Sequence, residues 1–276
     1  HIYKMNYELM LEFHQERDAD CTISVIQVPY EEASRFGVMM TDDEQRIFDF
    51  EEKPKEPRSN LASMGVYIFR WDKLKHYLIL DEQDACSDKD FGKNVIPAML
   101  FSGERMFAYK YGGYWKDVGT IESLWESNMD ILDPEIPLRL YDPPWPIYAR
   151  NMCQPPQYVG YDARISESTI TEGCLIYGEV EKSIVSPTVT IGKGAFVSNS
   201  IIMPNAFIGD GAVVEYAIVG ENSIVGSNTK IGCIDGRGLI GEHREITVVG
   251  PNVYIGENLR IDAGTMVGED KDGTEV

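Results

Sequence analysis

The sequence predicts an α/β domain followed by a parallel β-helix. Two observations carry this. In the first half, short β-branched runs alternate with amphipathic helical segments, the pattern of a sheet layered by helices. In the second half, aliphatic residues recur every six positions and glycine often follows them, the signature of a hexapeptide-repeat β-helix.

The elements of the first half can be read in order. Tyr7 to Arg17 sets Leu9, Met10, Leu11 and Phe13 among charges, which suits an amphipathic helix. Cys21 to Val28 is short and β-branched, a strand. Phe36–Met40 and Ile47–Glu51 read as two strands joined by the polar turn Thr41 to Gln45. Met64 to Arg70 is a strand and Trp71 to Leu80 a helix. Asp90 to Leu100 is helical, with Pro97 as a kink or terminus. Phe107 to Lys110 is a strand, and Ile121 to Ile131 a helix ended by Asp133-Pro134. The segment from Pro137 to Pro156 is rich in proline and aromatics, including Tyr141, Trp145 and Tyr148. Aromatic side chains favour burial, so an ordered linker is expected.

In the second half the repeat runs through Val185, Ile191, Val197 and Met203. It slips by one to Ile208 and Val214, then slips again to Val219, Val225 and Ile231. After an interruption it resumes with Val249, Ile255, Ile261 and Val267. Glycine follows at positions such as 192, 209, 226 and 256, where it would permit the turns. Simple amphipathic strands would need a period of two, not six. The expected domains are therefore residues 1–136, a linker 137–156 and a β-helix 157–276.

The chain has 276 residues, 43% of them hydrophobic, which suits an ordered globular protein. The start, His1 to Asn6, reads as the inside of a domain, and no apolar run could span a bilayer. A net charge of −20 repels nucleic-acid phosphates, so nucleic acid is not an expected partner, and with no bilayer-spanning run neither is a membrane. Five scattered cysteines (Cys21, Cys86, Cys153, Cys174, Cys233) form no metal-binding spacing. They read as reduced packing residues of a cytoplasmic protein.

Three constellations could carry chemistry. In Phe50-Glu51-Glu52-Lys53-Pro54, Glu52 could accept hydrogen bonds from sugar hydroxyls and Lys53 could neutralise a phosphate. A solvated charge run from Glu51 to Glu56 is the plainer reading of the same residues. In Trp115-Lys116-Asp117-Val118-Gly119-Thr120, Asp117 is a candidate magnesium ligand. Alternatively, Asp117 or Thr120 caps the helix that follows. In Ala62-Ser63-Met64-Gly65, Ser63 could donate to a phosphate or sugar hydroxyl, or simply open a strand.

Taken in this order and spacing, with hexapeptide repeats behind them, these motifs resemble bacterial glucose-1-phosphate adenylyltransferase over nearly the whole chain. The resemblance implies the C-terminal half of a Rossmann-like nucleotidyltransferase domain followed by a left-handed parallel β-helix. It implies that Lys53 grips the phosphate of glucose-1-phosphate and Glu52 the glucose. Gly37 and Ser63 would line the sugar pocket, with Asp90, in Asp90-Phe91-Gly92-Lys93, near the glucose. Asp117 would bind catalytic Mg2+. ATP would be the second substrate, and the product ADP-glucose would serve glycogen synthesis. The family's glycine-rich ATP loop, G-G-x-G-T-R-L, does not occur in these 276 residues. Nor does the Gly-Asp that usually precedes His-Ile-Tyr, whose aspartate is the second metal ligand. The chain alone is thus expected to be inactive.

The resemblance further implies a tetramer, built from this chain or with a related subunit, in which the β-helix makes subunit contacts and takes part in effector response. Three alternatives stand beside this reading. Another sugar-1-phosphate nucleotidyltransferase, such as a mannose-1-phosphate guanylyltransferase, would share most motifs. A non-catalytic regulatory subunit would tend to lose Asp117 or Lys53, and both are present. A β-helical acyltransferase would need a histidine at a subunit boundary. The only tail histidine, His243, sits in Gly241-Glu242-His243-Arg244-Glu245, which reads as a surface turn.

Overall fold

The computed structural model describes residues 1–136, 138, 140, 142–149, 153–232, 239–240 and 243–272. It falls into two units, His1–Trp115 and Lys116–Val276. In the first, β1 (Ile2–Tyr3) precedes α1 (Tyr7–Glu16), β2 (Cys21–Gln27), α2 (Tyr30–Ala33), β3 (Gly37–Thr41), β4 (Ile47–Glu52) and β5 (Leu61–Phe69). Then come α3 (Trp71–Gln83), a π-helical turn (Phe91–Val95), α4 (Ile96–Phe101) and β6 (Met106–Lys110). A short β7 (Trp115–Lys116) spans the division. The sheet order is β4-β3-β5-β2-β6. Only β2 and β6 run parallel, and the other neighbours are antiparallel.

Strand β2 is buried from Cys21 to Val25, so both of its faces are covered. Alternate residues point to opposite faces. Cys21, Ile23 and Val25 join Met39, Ile47, Ile96 and Met99 in one apolar cluster. On the other face, Thr22 meets His14 of α1, with Oγ1 2.8 Å from Nδ1. Met10 and His14 are therefore the buried residues of α1, whereas Leu9 and Leu11, expected inside, are exposed. A histidine takes the core position because Thr22 satisfies its ring nitrogen. Two further departures matter. The expected helix from Asp90 begins as the π-helical turn and runs on into α4, with Pro97 in the first turn of α4. And β5 starts at Leu61, three residues earlier than the sequence suggested.

The second unit opens with α5 (Ile121–Met129), capped by Thr120, whose hydroxyl accepts from Ser123 N–H at 3.2 Å. Thr120 thus takes the capping role and leaves Asp117 outside the helix. The α5 side chains Leu124, Trp125 and Met129 pack with Ile201, Ile218 and Ile246, and Trp125 Nε1 donates to the Asn199 carbonyl at 2.8 Å.

The coils that follow form three six-stranded sheets whose paired strands are parallel. Register sets Val185 beside Ile202 and Ile202 beside Val219, so one coil takes seventeen residues. The predicted aliphatic residues fill its core, with one correction. Ile202, not Met203, points inward, and Met203 packs with the α5 cluster instead. The five-residue step therefore falls between Val197 and Ile202, one repeat earlier than the sequence phase suggested. The glycines also act differently from expectation. The left-handed corner positions are shared by asparagine, as at Asn205, Asn222, Asn228, Asn252 and Asn258, and by glycines other than most of those expected, such as Gly194 and Gly211. Asn205 Nδ2 donates to Asn222 Oδ1 at 3.0 Å, and Asn222 Nδ2 to Asn252 Oδ1 at 3.1 Å. Gly209 instead lets coils approach: a Cβ there would lie 2.7 Å from Ser227 N in the next coil.

The interruption contains a short antiparallel pair, Leu239–Ile240 with His243–Arg244. His243 therefore belongs to a strand rather than a turn; Gly241 and Glu242 lie outside the described residues, as do Cys233, Pro137 and Tyr141. Cys21 and Cys174 are buried as expected, but Cys86 and Cys153 are exposed. Trp145 and Tyr148 are exposed as well, so these two linker aromatics do not find the burial expected of them. Among the described residues no helix is long and apolar enough to cross a membrane.

Candidate sugar-phosphate site

The site residues of the first unit converge on one carboxylate. Gly37 opens β3 directly opposite Glu52, the last residue of β4. A Cβ on Gly37 would lie 2.7 Å from Glu52 Oε2 and 2.7 Å from Phe50 Cζ, so glycine there is a matter of space. Gly92, in the π-helical turn, approaches the same carboxylate: its missing Cβ would lie 2.8 Å from Glu52 Cδ and 3.4 Å from Asp90 Oδ1. Asp90 caps that turn, with Oδ1 accepting from Lys93 N–H at 2.9 Å. The cap holds the turn against the end of β4. Gly37, Glu52 and Asp90 are thus brought together.

Burial raises the Glu52 carboxyl above its ordinary range. The neighbouring Lys53 charge opposes this, Asp90 adds to it, and Lys93 again opposes it. Adjacent Glu51 behaves differently. Its side chain points to the other face of the strand, where Oε1 accepts from Arg58 Nε at 2.7 Å. The reading as a plain charge run therefore suits Glu51, tied down by Arg58, but not half-buried Glu52.

Lys53 follows with φ of 47°, in the left-handed region, and its N–H donates to the Phe36 carbonyl at 3.1 Å. That bond closes the strand end and leaves the side chain exposed. Among the described residues no ion pair engages its ammonium.

Ser63 comes from a bulge in β5. The pairing with β2 shifts between Ile23 and Val25, and Gly65 takes φ of 73°. The Ser63 hydroxyl accepts from Gly65 N–H at 3.2 Å and lies 3.3 Å from the Tyr67 hydroxyl. Burial pushes the Tyr67 phenol upward, its hydrogen bond to Ser63 opposes this, and the charges of Glu52 and Asp90 add to the rise. Tyr67 stacks on Phe91 at 6.1 Å between ring centroids, with 11° between the ring planes.

Tyr67, Phe91, Gly92 and Lys93 were not singled out from sequence. Their signal was present in the aromatic at the end of M-G-V-Y and in the F-G-K that follows Asp90, but only the fold joins them. The cluster offers a carboxylate, two hydroxyls, an aromatic face and a cation at its mouth. That is the chemistry to hold a polyhydroxy ligand carrying a phosphate.

Asp117 lies in the second unit, just past the division. It is half-buried, and its Oδ2 stands 3.2 Å from where Gly119 would carry a Cβ. The preceding Lys116 is taken up by Asp130 at 2.8 Å and Glu126 at 3.2 Å. No group of three or more His, Cys, Asp or Glu able to hold a metal forms among the described residues. One carboxylate beside glycine backbone suits a metal that takes its remaining ligands from phosphates and water.

Residues 1–134 match the family model "Nucleotidyl transferase", and residues 156–238 match "GlmU-like, C-terminal hexapeptide". Fold and matches together define the class, a nucleotidyl transferase domain joined to a hexapeptide β-helix. The chain is 59% identical over 197 residues to the glucose-1-phosphate adenylyltransferase of Desulforamulus reducens, covering 71% of this chain and 49% of that protein. It is 56% identical to the enzyme of that name from Geobacillus stearothermophilus, covering 71% and 51%, and 52% identical to that from Clostridium novyi, covering 71% and 52%. The chain is thus similar to glucose-1-phosphate adenylyltransferases over 71% of its own length. It spans about half the length of the curated relatives it matches.

Proposed function

We propose that this chain supplies the sugar-phosphate half of an enzyme that transfers AMP from ATP to glucose-1-phosphate, giving ADP-glucose and pyrophosphate, at the committed step of glycogen synthesis in the cytoplasm. The observation that carries the reading is the convergence of Gly37, Gly92, Asp90 and Ser63–Tyr67 around Glu52, with Lys53 beside it. Glu52 accepts hydrogen bonds from glucose hydroxyls. The Ser63 hydroxyl adds a donor, and the Tyr67–Phe91 face packs on the sugar ring. Lys53 neutralises the sugar phosphate and orients its oxygen for in-line attack on the α-phosphorus of ATP. Asp117 would hold Mg2+, which when bound supplies charge neutralisation to the phosphates. In this reading residues 1–136 form the catalytic part, 137–156 the linker and 157–276 the β-helix; the family matches, one ending at residue 134 and the other starting at 156, support the place of the linker.

The β-helix supports assembly into a tetramer, of this chain or with a related subunit. One of its faces carries, in register, Tyr158, Leu175, Thr190, Phe207, Ile224 and Tyr254, of which all but Thr190 are exposed large apolar or aromatic side chains. An apolar stripe of that kind suits contact with another subunit.

The reading is tested on the complete protein by pyrophosphate release from ATP that depends on glucose-1-phosphate. Lys53→Ala raises the KM for the sugar phosphate with kcat nearly kept, because its contact exists in ground and transition states alike. Asp117→Asn chiefly lowers kcat. The reverse pattern refutes the two assignments.

A further inference from the structure

Gly92 is buried in the turn capped by Asp90. Glycine can be required for its backbone or for its lack of a side chain. The backbone reason is absent: Gly92 is not among the glycines with positive φ, unlike Gly65 or Gly103. In helical backbone alanine is in fact favoured over glycine. What remains is space, and the space is taken by Glu52. A Cβ on Gly92 would meet Glu52 Oε2 and lie 2.8 Å from Cδ, while a Cβ on Gly37 would lie 2.7 Å from the same Oε2. The two glycines come from different elements, β3 and the π-helical turn, so their only shared feature is this carboxylate.

We propose that Gly92 is a positioning residue for sugar recognition, forming with Gly37 a slot of bare backbone that fixes the Glu52 carboxylate toward the ligand's hydroxyls; this rests on the sugar-phosphate reading above. The charged groups facing the carboxylate are Lys53, Asp90 and Lys93, and Lys93 is itself held by Asp88 at 2.9 Å. None of them touches Glu52 through a hydrogen bond among the described residues, so the slot, not a bonding partner, sets its direction.

The test is calorimetric titration of the protein with glucose-1-phosphate and, separately, with inorganic phosphate, using four proteins: unaltered, Gly92→Ala, Glu52→Ala and the double variant. Gly92→Ala is expected to weaken glucose-1-phosphate binding by about tenfold or more, the scale of a methyl forced into a filled site. Inorganic phosphate binding stays unchanged. In the Glu52→Ala background, adding Gly92→Ala costs nothing further, since the obstructed group is gone. Equal losses in both backgrounds, equal loss of phosphate binding, or no loss at all would overturn the proposal. If Gly92→Ala fails to fold, the double variant should fold; a double variant that is also unfolded overturns it. Should the unaltered protein bind no glucose-1-phosphate, the sugar reading itself fails. The slot is then judged by NMR of the Glu52 carboxyl carbon, whose titration midpoint must move with Gly92→Ala and, if unmoved, ends the proposal.

Discussion

Lys53 holds a left-handed backbone at φ 47° beside the site, and replacing it by glycine separates its structural cost from its function. A non-glycine residue in that conformation costs roughly 1–2 kcal/mol. Glycine relieves the strain but adds about 0.5–1 kcal/mol of chain entropy lost on folding. Lys53→Gly should therefore be more stable than Lys53→Ala by about 0.5–1 kcal/mol, although glycine is ordinarily the less stable choice. Both variants lose the ammonium, so both should weaken binding of glucose-1-phosphate to the same extent. Urea unfolding followed by tryptophan fluorescence measures the first quantity, and calorimetry the second. A glycine variant less stable than the alanine variant would show that the backbone carries no strain. A difference in binding between the two would show that the backbone, not the charge, serves the ligand.

Further predictions follow from core, helix and site. Ile208 is buried between Ile191 and Val225, so Ile208→Ala should cost about 2–5 kcal/mol by urea unfolding, whereas Phe207→Ala, on the outer face of the same strand, should cost far less. His14 is held below its ordinary 6.5 chiefly by burial, with Arg70 adding to the depression and Asp20 and Asp18 opposing it. The unfolded chain then takes up a proton that the folded one resists. Stability contributed by this group is present above about pH 6.5 and is lost as pH falls further, which melting curves from pH 7.5 to 5 will show. Glu52 has the opposite sign, because its raised carboxyl is most compatible with folding when protonated. Glu52→Gln should raise the melting temperature at pH 7, with the gain shrinking toward pH 4, while sugar-phosphate binding is weakened but not abolished.

Much of this was legible in the sequence, because periodicity reports burial directly. Val185, Ile191, Val197, Ile208 and Val214 all point into the β-helix as their spacing implied. Met203 misled because a flexible aliphatic chain fits the α5 cluster as well as the coil interior, while Ile202 beside it was the better core residue. In α1, hydrophobicity alone favoured Leu9 and Leu11, and nothing local could show that Thr22 would make a core residue of His14. The site divided in the same way. Glu52, Lys53 and Ser63 stood out through compact motifs. Gly92 and Tyr67 did not, because their importance lies in what they approach across elements far apart in the chain.

The most direct measurement is the calorimetric titration of this chain with glucose-1-phosphate beside mannose-1-phosphate, with Lys53→Ala as control. The account predicts binding of glucose-1-phosphate, weaker binding of the epimer whose hydroxyl is misplaced for the fixed Glu52 carboxylate, and loss of both in the control. Equal affinity for the two sugars, or binding indifferent to Lys53, would contradict it.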